Sequence, residues 1–516
     1  LIAGRGTLRK PADVVPKGAR MKTKALILSP LIACLLLAPA ARAQQPAAPA
    51  FQDTTVLPEG QKGARVRSLI EAINSGDRDR IRRFLDQECA SGFQRAVPMD
   101  DHISTLLGFL RDTGGIEFCS VRTYTPERPG ATVVIVKDRN MGSFWGLSFH
   151  FAELSGYLVA GLEFSPARPP AGPPETPLTE KEAIDEIRSL TAGLIQKGWL
   201  SGTLLIAKGP GVLLTMAAGE ASKSYHIPNN IDTKFNLGSM NKMFTATAAA
   251  RLVELGKISF DDPISKYIDE TWLPKDITDK ITVRQLITHT SGLGSYFNEL
   301  FDRSSRTLFR KLDDYKPLIK DDKPAFPPGE RFQYSNTGMF LLGVVIEKAT
   351  REDYFDHIRK VIYTPSGMTD TDCYEMDYPV ENLAIGYSPD WNSPYRWQNN
   401  LYKHVLRGGP AGGGFSTVKD LHKFALALLA GKLISKEMLR TLWTDYKGED
   451  YGYGFGVRQS PAGKIVGHSG GFDGINSELD IYVDSGYIVV VMSNYDNGAS
   501  PLATRIGRTL ARVKAP

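Results

Sequence analysis

Phe235-Asn236-Leu237-Gly238-Ser239-Met240-Asn241-Lys242-Met243-Phe244 sets a hydroxyl and an amine three residues apart at the start of an apolar-periodic run. On a helix, Ser239 and Lys242 share one face, with Cβ atoms about 5–6 Å apart. The helix start also puts Ser239 beside unpaired backbone N–H groups and the positive end of the dipole. Serine is a poor nucleophile at neutral pH and needs such a base and such a cradle. A chain this long supplies S-x-x-K by chance about once or twice, so the surroundings must decide.

A second S-x-x-K lies at Ser416/Lys419. Thr417 and Asp420 form a capping-box pattern ahead of Leu421, Phe424 and Leu428, so this copy reads as a helix start with Lys419 on a solvated face. The run around Lys242 differs, because Met243, Phe244, Ala246, Ala248 and Leu252 are apolar on both sides of it. A lysine there loses water, and its neutral, proton-accepting form is favoured. The competing reading is a capping serine with a snorkelling lysine. Gly467-His468-Ser469-Gly470-Gly471 fits the G-x-S-x-G nucleophile elbow, which requires a helix to follow. Phe472-Asp473-Gly474 and the strand-like Ile475 to Val483 follow instead. His468, Gly470 and Gly471 are therefore assigned to an edge strand whose glycines admit a substrate. Tyr334-Ser335-Asn336 follows Pro327-Pro328-Gly329 and precedes the apolar Phe340-Leu341-Leu342. Beside a lysine ammonium, Tyr334 can be held partly as phenolate or pass a proton, and Asn336 offers both donor and acceptor to a substrate amide. Tyr495-Asp496-Asn497 repeats the Y-x-N pattern in a turn-like polar patch and reads as loop.

The order matters more than any one match. Ser-x-x-Lys, then Tyr-x-Asn 95 residues on, then His-x-Gly after another 134, resembles the serine β-lactamase and penicillin-binding family, and within it the class C-like branch of D,D-carboxypeptidases, D-aminopeptidases and esterases. Leu286-Ile287-Thr288-His289-Thr290-Ser291-Gly292-Leu293, Pro328 to Asn336 and Gly412-Gly413-Gly414-Phe415-Ser416 support the resemblance over residues 179–513. It implies Ser239 as the acylated nucleophile, with proton transfer shared by Lys242 and Tyr334 and the base left open between them. It also implies Asn336, His468, Gly470 and Gly471 along the substrate, an oxyanion between the N–H groups of Ser239 and Gly471, and a structural His289 in the helical subdomain. Class C β-lactamases carry lysine where this chain has His468. A histidine is charged only below about pH 6.5, so hydrolysis of a D-amino peptide, such as one derived from peptidoglycan, or of an ester is expected over cephalosporin turnover. The rival function is a non-hydrolytic penicillin or peptidoglycan sensor.

The rest of the chain organises around this unit. At 516 residues, 42% hydrophobic and 23% charged, it has room for two or three domains. A net charge of +5 without a dense basic stripe excludes nucleic acid as an implied partner. Met21 to Ala43 has the basic start, apolar run and Ala41-Arg42-Ala43 site of a signal peptide, which predicts a periplasmic or secreted protein with no transmembrane helix in the mature chain. Residues 1–20 read as an upstream extension, and Leu31-Ile32-Ala33-Cys34 as a weaker lipobox. Residues 44–58 and the proline-rich 166–178 read as linkers. Between them, 59–165 predicts a small α+β cone resembling the nuclear-transport-factor-like (SnoaL-like) superfamily. Its helices run through Val66–Ile73 and Ile81–Leu85, its strands through Trp145–Phe151 and Leu158–Phe164, and Asp100-Asp101-His102 sits in a solvated loop. For 179–513, strands at both ends with helices between predict an antiparallel sheet flanked by helices plus an all-α subdomain. Cys89 and Cys119 are the candidate disulfide pair, with buried free thiols as the alternative. No Cys/His spacing implies a metal, and no cofactor is expected.

Overall fold

The computed structural model describes residues 50–126, 130–172, 175–393 and 396–514. The signal-like segment, residues 1–20, Cys34 and Pro173-Pro174 lie outside them.

The N-terminal unit has a sheet and a core of its own. Strand β1 (Ala50–Thr54) is followed by helices α1 (Gln61–Ser75), α2 (Arg78–Glu88) and α3 (Met99–Thr113). Strands β2 (Ile116–Thr125), β3 (Ala131–Asp138), β4 (Phe144–Ala152) and β5 (Leu158–Pro166) complete an antiparallel sheet in the order β1-β2-β3-β4-β5. Gly76 ends α1 in the left-handed conformation, and the Asp77 side chain caps α2 by accepting from the N–H groups of Asp79 and Arg80. The helices fill the sheet's face: Val66, Leu69, Ile73, Ile81, Phe84 and Leu107 share one core with Val134, Val136, Leu147, Phe149 and Val159.

Two expectations are corrected here, and one that was left open is decided. The polar tether at 44–58 contributes β1, because Phe51 finds the Tyr124 ring and the Arg122 guanidinium, and Asp53 pairs with Arg122 at 2.8 Å. Asp100, Asp101 and His102 form the first turn of α3 rather than a loop. Acidic side chains suit that helix end. His102 stacks on Phe93, and Asp100 pairs with Arg78 and Arg82. Cys89 and Cys119 are unpaired, as is Cys373. Burial pushes the Cys89 and Cys373 thiols up to about 12.

The C-terminal unit opens with α4 (Glu180–Gln196), started by a Thr179/Glu182 capping box. Strands β6 (Gly202–Lys208) and β7 (Gly211–Ala218) form the first hairpin. Helices α5 (Asn241–Glu254), α6 (Asn336–Thr350) and α7 (Val418–Leu429) belong to the middle of the chain. Strands β8 (Gly456–Ser460), β9 (Gly463–Phe472), β10 (Ile475–Tyr482) and β11 (Tyr487–Ser493) precede the last helix, α8 (Ser500–Leu510). The sheet order is β8-β9-β10-β11-β6-β7, antiparallel throughout.

Alternation along the strands sorts the two faces. Leu204, Ile206, Val489 and Val491 pack with Ile187, Leu194, Leu502 and Ile506 of α4 and α8. Leu205, Ala207, Leu479, Ile481, Val490 and Met492 face the opposite way, onto the helical middle with Phe244, Phe340 and Phe424. Helix α5 is thus buried on nearly every side, which its run of alanines permits.

The two units touch through the α4/α8 layer and the hairpin formed by Tyr387–Pro389 and Trp397–Asn399. Met141 enters the core beneath α4 and α8. Trp199 Nε1 donates to Asp112 O at 3.2 Å, and Asn497 Nδ2 donates to the Asp112 carboxylate at 2.7 Å. The Arg111 guanidinium lies over the stacked rings of Trp397 and Tyr495. Among the described residues no helix is long and apolar enough to cross a membrane, and no group of His, Cys, Asp and Glu side chains is placed to hold a metal ion.

Candidate active site

Ser239 sits in the 3₁₀ turn Gly238–Met240 that leads into α5. Its side chain caps nothing, so the capping reading fails. Gly238 enters the turn at φ +50°, and a Cβ there would approach Gly471 N to 2.8 Å. This glycine lets the serine's turn press against β9. Behind it, the loop Gly408-Gly409-Pro410-Ala411-Gly412-Gly413-Gly414 wraps the turn. Gly413 N donates to Gly238 O, Leu237 N to Gly414 O, and the Asn241 amide donates to Gly409 O and Cys373 Sγ.

Lys242 is wholly buried, so it does not snorkel. Its Nζ lies 2.9 Å from Ser239 Oγ, 2.9 Å from Asn336 Oδ1 and 2.5 Å from Ala411 O. Burial alone drives its pKa well below the usual lysine value. A neutral amine has two N–H groups and one lone pair. The two carbonyl oxygens accept the two N–H groups, and the lone pair is left for the Ser239 hydroxyl. Asn336, the first residue of α6, is thereby committed on its Oδ1 side to Lys242, while its Nδ2 donates to Ser295 Oγ at 3.3 Å.

Tyr334 is half-buried, and its ring centroid lies 4.8 Å from Lys242 Nζ. Burial raises its pKa, against a hydrogen bond to Ser239 that lowers it. Of the two roles the sequence left open, partial phenolate and proton transfer, burial favours the second, because it keeps the hydroxyl protonated. With the amine neutral, the Ser239 hydroxyl can donate to Lys242, and Tyr334, hydrogen-bonded to Ser239, stands as an acid beside that base.

His289 does more than fill the helical subdomain. It takes φ +57°, its ring lies 4.3 Å from that of Tyr334, and it is completely buried. Ser335 N–H donates to His289 Nδ1 at 3.1 Å, so in the neutral ring Nε2 carries the hydrogen and donates to Tyr451 Oη at 3.1 Å. The Tyr451 hydroxyl then donates to His468 Nε2 at 3.1 Å, and His468 Nδ1–H donates to Ser469 O at 2.6 Å. Every proton in this chain has one place to go while both histidines are neutral. Burial, with the charge Lys242 carries in acid next, pushes His468 down to about 3, and burial first of all holds His289 well below the usual imidazole value.

Strand β9 is not an edge strand along its whole length. Its first half, Gly463–Gly467, pairs with β8, and its second half, His468–Phe472, pairs only with β10. The open side of that second half runs past Ser239. Gly470 is required by packing, since a Cβ there would lie 1.9 Å from Leu237 O, whereas a Cβ on Gly471 would meet open space. No helix follows Ser469, so the elbow reading fails as expected. At the second S-x-x-K, the Thr417 hydroxyl accepts from Asp420 N–H as an N-cap, Ser416 is buried against Thr371, and Lys419 pairs with Asp232.

The structure brings Ser239, Lys242, Tyr334, Asn336, His468, Gly470 and Gly471 to one cleft between the sheet and the helical middle. Ala411, Ser295 and Tyr451 were not anticipated. The glycine-rich 408–414 stretch was the available signal for the first, and the aromatic run Tyr451-Gly452-Tyr453-Gly454-Phe455 for the last.

Comparison with known proteins agrees with this architecture. The chain is 31% identical to "Penicillin-binding protein 4*" of Bacillus subtilis (strain 168) over 325 residues, covering 60% of this chain and 71% of that one. The crystal structure of a penicillin binding protein from Bacillus halodurans superposes with a TM-score of 0.57 at 32% identity, over 61% of this chain and 98% of the other. A D-stereospecific amidohydrolase from Streptomyces sp. superposes with a TM-score of 0.52 at 26% identity, over 64% of this chain and 97% of that one. A beta-lactamase family profile matches residues 186–513, and the chain belongs to the beta-lactamase family.

Proposed function

We propose that the protein is an exported serine hydrolase of the class C-like branch, which forms an acyl-enzyme at Ser239 and hydrolyses a peptide of D-amino acid type or an ester. The observation that carries this reading is the buried Lys242, whose two N–H groups are taken by carbonyl oxygens so that its lone pair faces Ser239. Lys242 takes the serine proton as Oγ bonds to the substrate carbonyl carbon. The oxyanion forms between the N–H groups of Ser239 and Gly471, donors whose loss costs about 100- to 1000-fold in such enzymes. As the bond to the leaving group breaks, Tyr334 gives that group its proton and regains one from Lys242. Water then attacks the ester, and the same two residues return a proton to Ser239.

The neutral His468, with both ring nitrogens already engaged, offers a substrate shape rather than a fixed charge, which supports peptide or ester hydrolysis over cephalosporin turnover. Similarity to a penicillin-binding protein and to a D-stereospecific amidohydrolase supports the same substrate class. The basic-then-apolar Met21 to Ala43 segment supports export, and the helix-then-sheet order of residues 59–165 supports a SnoaL-like accessory unit. The test is intact-mass measurement after a fluorophosphonate or a fluorescent penicillin, with Ser239→Ala alongside. One adduct on the native protein and none on the variant is expected. Absence of an adduct on the native protein, or equal labelling of both, overturns the assignment. An adduct with no turnover of any peptide or ester would favour a sensor.

A further inference from the structure

Two half-exposed phenyl rings face each other at the mouth of the cleft. Phe472 is 39% exposed and Phe297 is 43% exposed, and their rings stack at 5.9 Å with 24° between planes. They come from opposite walls. Phe472 ends β9, directly after Gly471. Phe297 follows Ser295, the residue that accepts from Asn336 Nδ2. Single exposed aromatics are ordinary, but an exposed pair at the rim of a cleft marks a binding surface.

The Phe297 ring is held from behind, and the backbone beside Phe472 is fixed at the next residue. Phe297 packs on Phe301 and Tyr296, both buried. The turn after Phe472 is pinned by Asn400 Nδ2 donating to Asp473 O at 2.8 Å and by a Lys403–Asp473 ion pair. Among the described residues, Phe472 stacks on Phe297 and no other ring.

The direction of a bound substrate follows from where protons are delivered. Tyr334 is the acid for the leaving group, and its ring lies beside that of His468 at 6.4 Å. The leaving group therefore points toward Tyr334 and His468. The acyl portion extends the other way from Ser239, past Gly471, where a Cβ would meet open space, and so to Phe472 and Phe297.

Resting on the hydrolase reading above, we infer that Phe297 and Phe472 form an acyl-side subsite for a bulky apolar side chain, aryl or branched alkyl, and so set which substrates are cleaved. Offset or edge-on contact between a substrate ring and this pair adds to the area it buries. Loss of such apolar contact changes discrimination about tenfold or more.

The experiment measures kcat/KM for p-nitrophenyl phenylacetate and p-nitrophenyl acetate, which share a leaving group and differ on the acyl side. The native protein should favour the phenylacetyl ester by about tenfold or more. Phe297→Ala and Phe472→Ala should each reduce that ratio several-fold, and the double variant should bring it near one. Phe297→Leu and Phe472→Leu, which keep an apolar surface and rule out misfolding as the cause, should retain part of it. A native ratio near one, or a ratio unmoved in the double variant, overturns the subsite while leaving the hydrolase intact. If the native protein turns over neither ester and Ser239 takes no phosphonate adduct, the hydrolase reading itself has failed.

Discussion

Lys242 is turned from a cation into a base by burial, because an ammonium in a dry interior is costly without a carboxylate partner, and only burial depresses its pKa. A general base acts unprotonated. With the pKa lowered well below 10.5, the acid limb of kcat/KM, where Lys242 becomes protonated, should lie well below the ordinary lysine value. His468, pushed down to about 3, adds no step between there and neutrality. A pH–rate profile on an ester checks this, and an acid limb centred near the ordinary lysine value would contradict it. These side chains were readable in the sequence because chemistry selects residue type: Ser239, Lys242, Tyr334 and His468 can be found by spacing. Ala411 could not be found that way. Its contribution is a main-chain oxygen, and any residue type supplies one.

At the scale of elements, the site depends on how closely the Ser239 turn and the open half of β9 approach. Adjacent glycines separate structure from function there. Gly470→Ala places a Cβ against Leu237 O, which forces the turn and strand apart. It should cost about 1–3 kcal/mol in stability together with most of the activity. Gly471→Ala places its methyl in open space, so denaturant unfolding should match the native protein while kcat/KM falls because the substrate's path is obstructed. Equal losses of stability in both variants would refute this division. The strand through His468, Gly470 and Gly471 was legible, but its half-paired state was not, since that depends on where β8 stops. Likewise, β1 was hidden in a polar, proline-containing stretch, and only Arg122 and Tyr124, some seventy residues on, make Phe51 and Asp53 strand residues.

At the scale of the whole molecule, the two units meet over Asp112. Burial raises its carboxyl to about 6, against the lowering effects of Arg111 and the Asn497 amide. A carboxyl whose folded pKa lies above its unfolded value of 3.8 favours folding while protonated, and that stability is lost as pH rises from about 4 to about 6. Asp112→Asn keeps an acceptor for Asn497 and removes the ionisation. Its melting temperature should therefore exceed the native value above about pH 6 and converge with it near pH 4; a difference that does not vary with pH would exclude the mechanism. No periodicity could have revealed this seam, because the contacts are single residues from distant segments, such as Met141 and Trp199. The placement of the seam carries a further consequence. Part of it lies on the α4/α8 layer, on the far side of the sheet from Ser239, and part on the hairpin of Tyr387–Pro389 and Trp397–Asn399, whose following residue Asn400 holds the Asp473 turn. A mechanical load borne by the N-terminal unit would therefore reach the sheet by two routes, one through its back and one through the turn that carries Phe472.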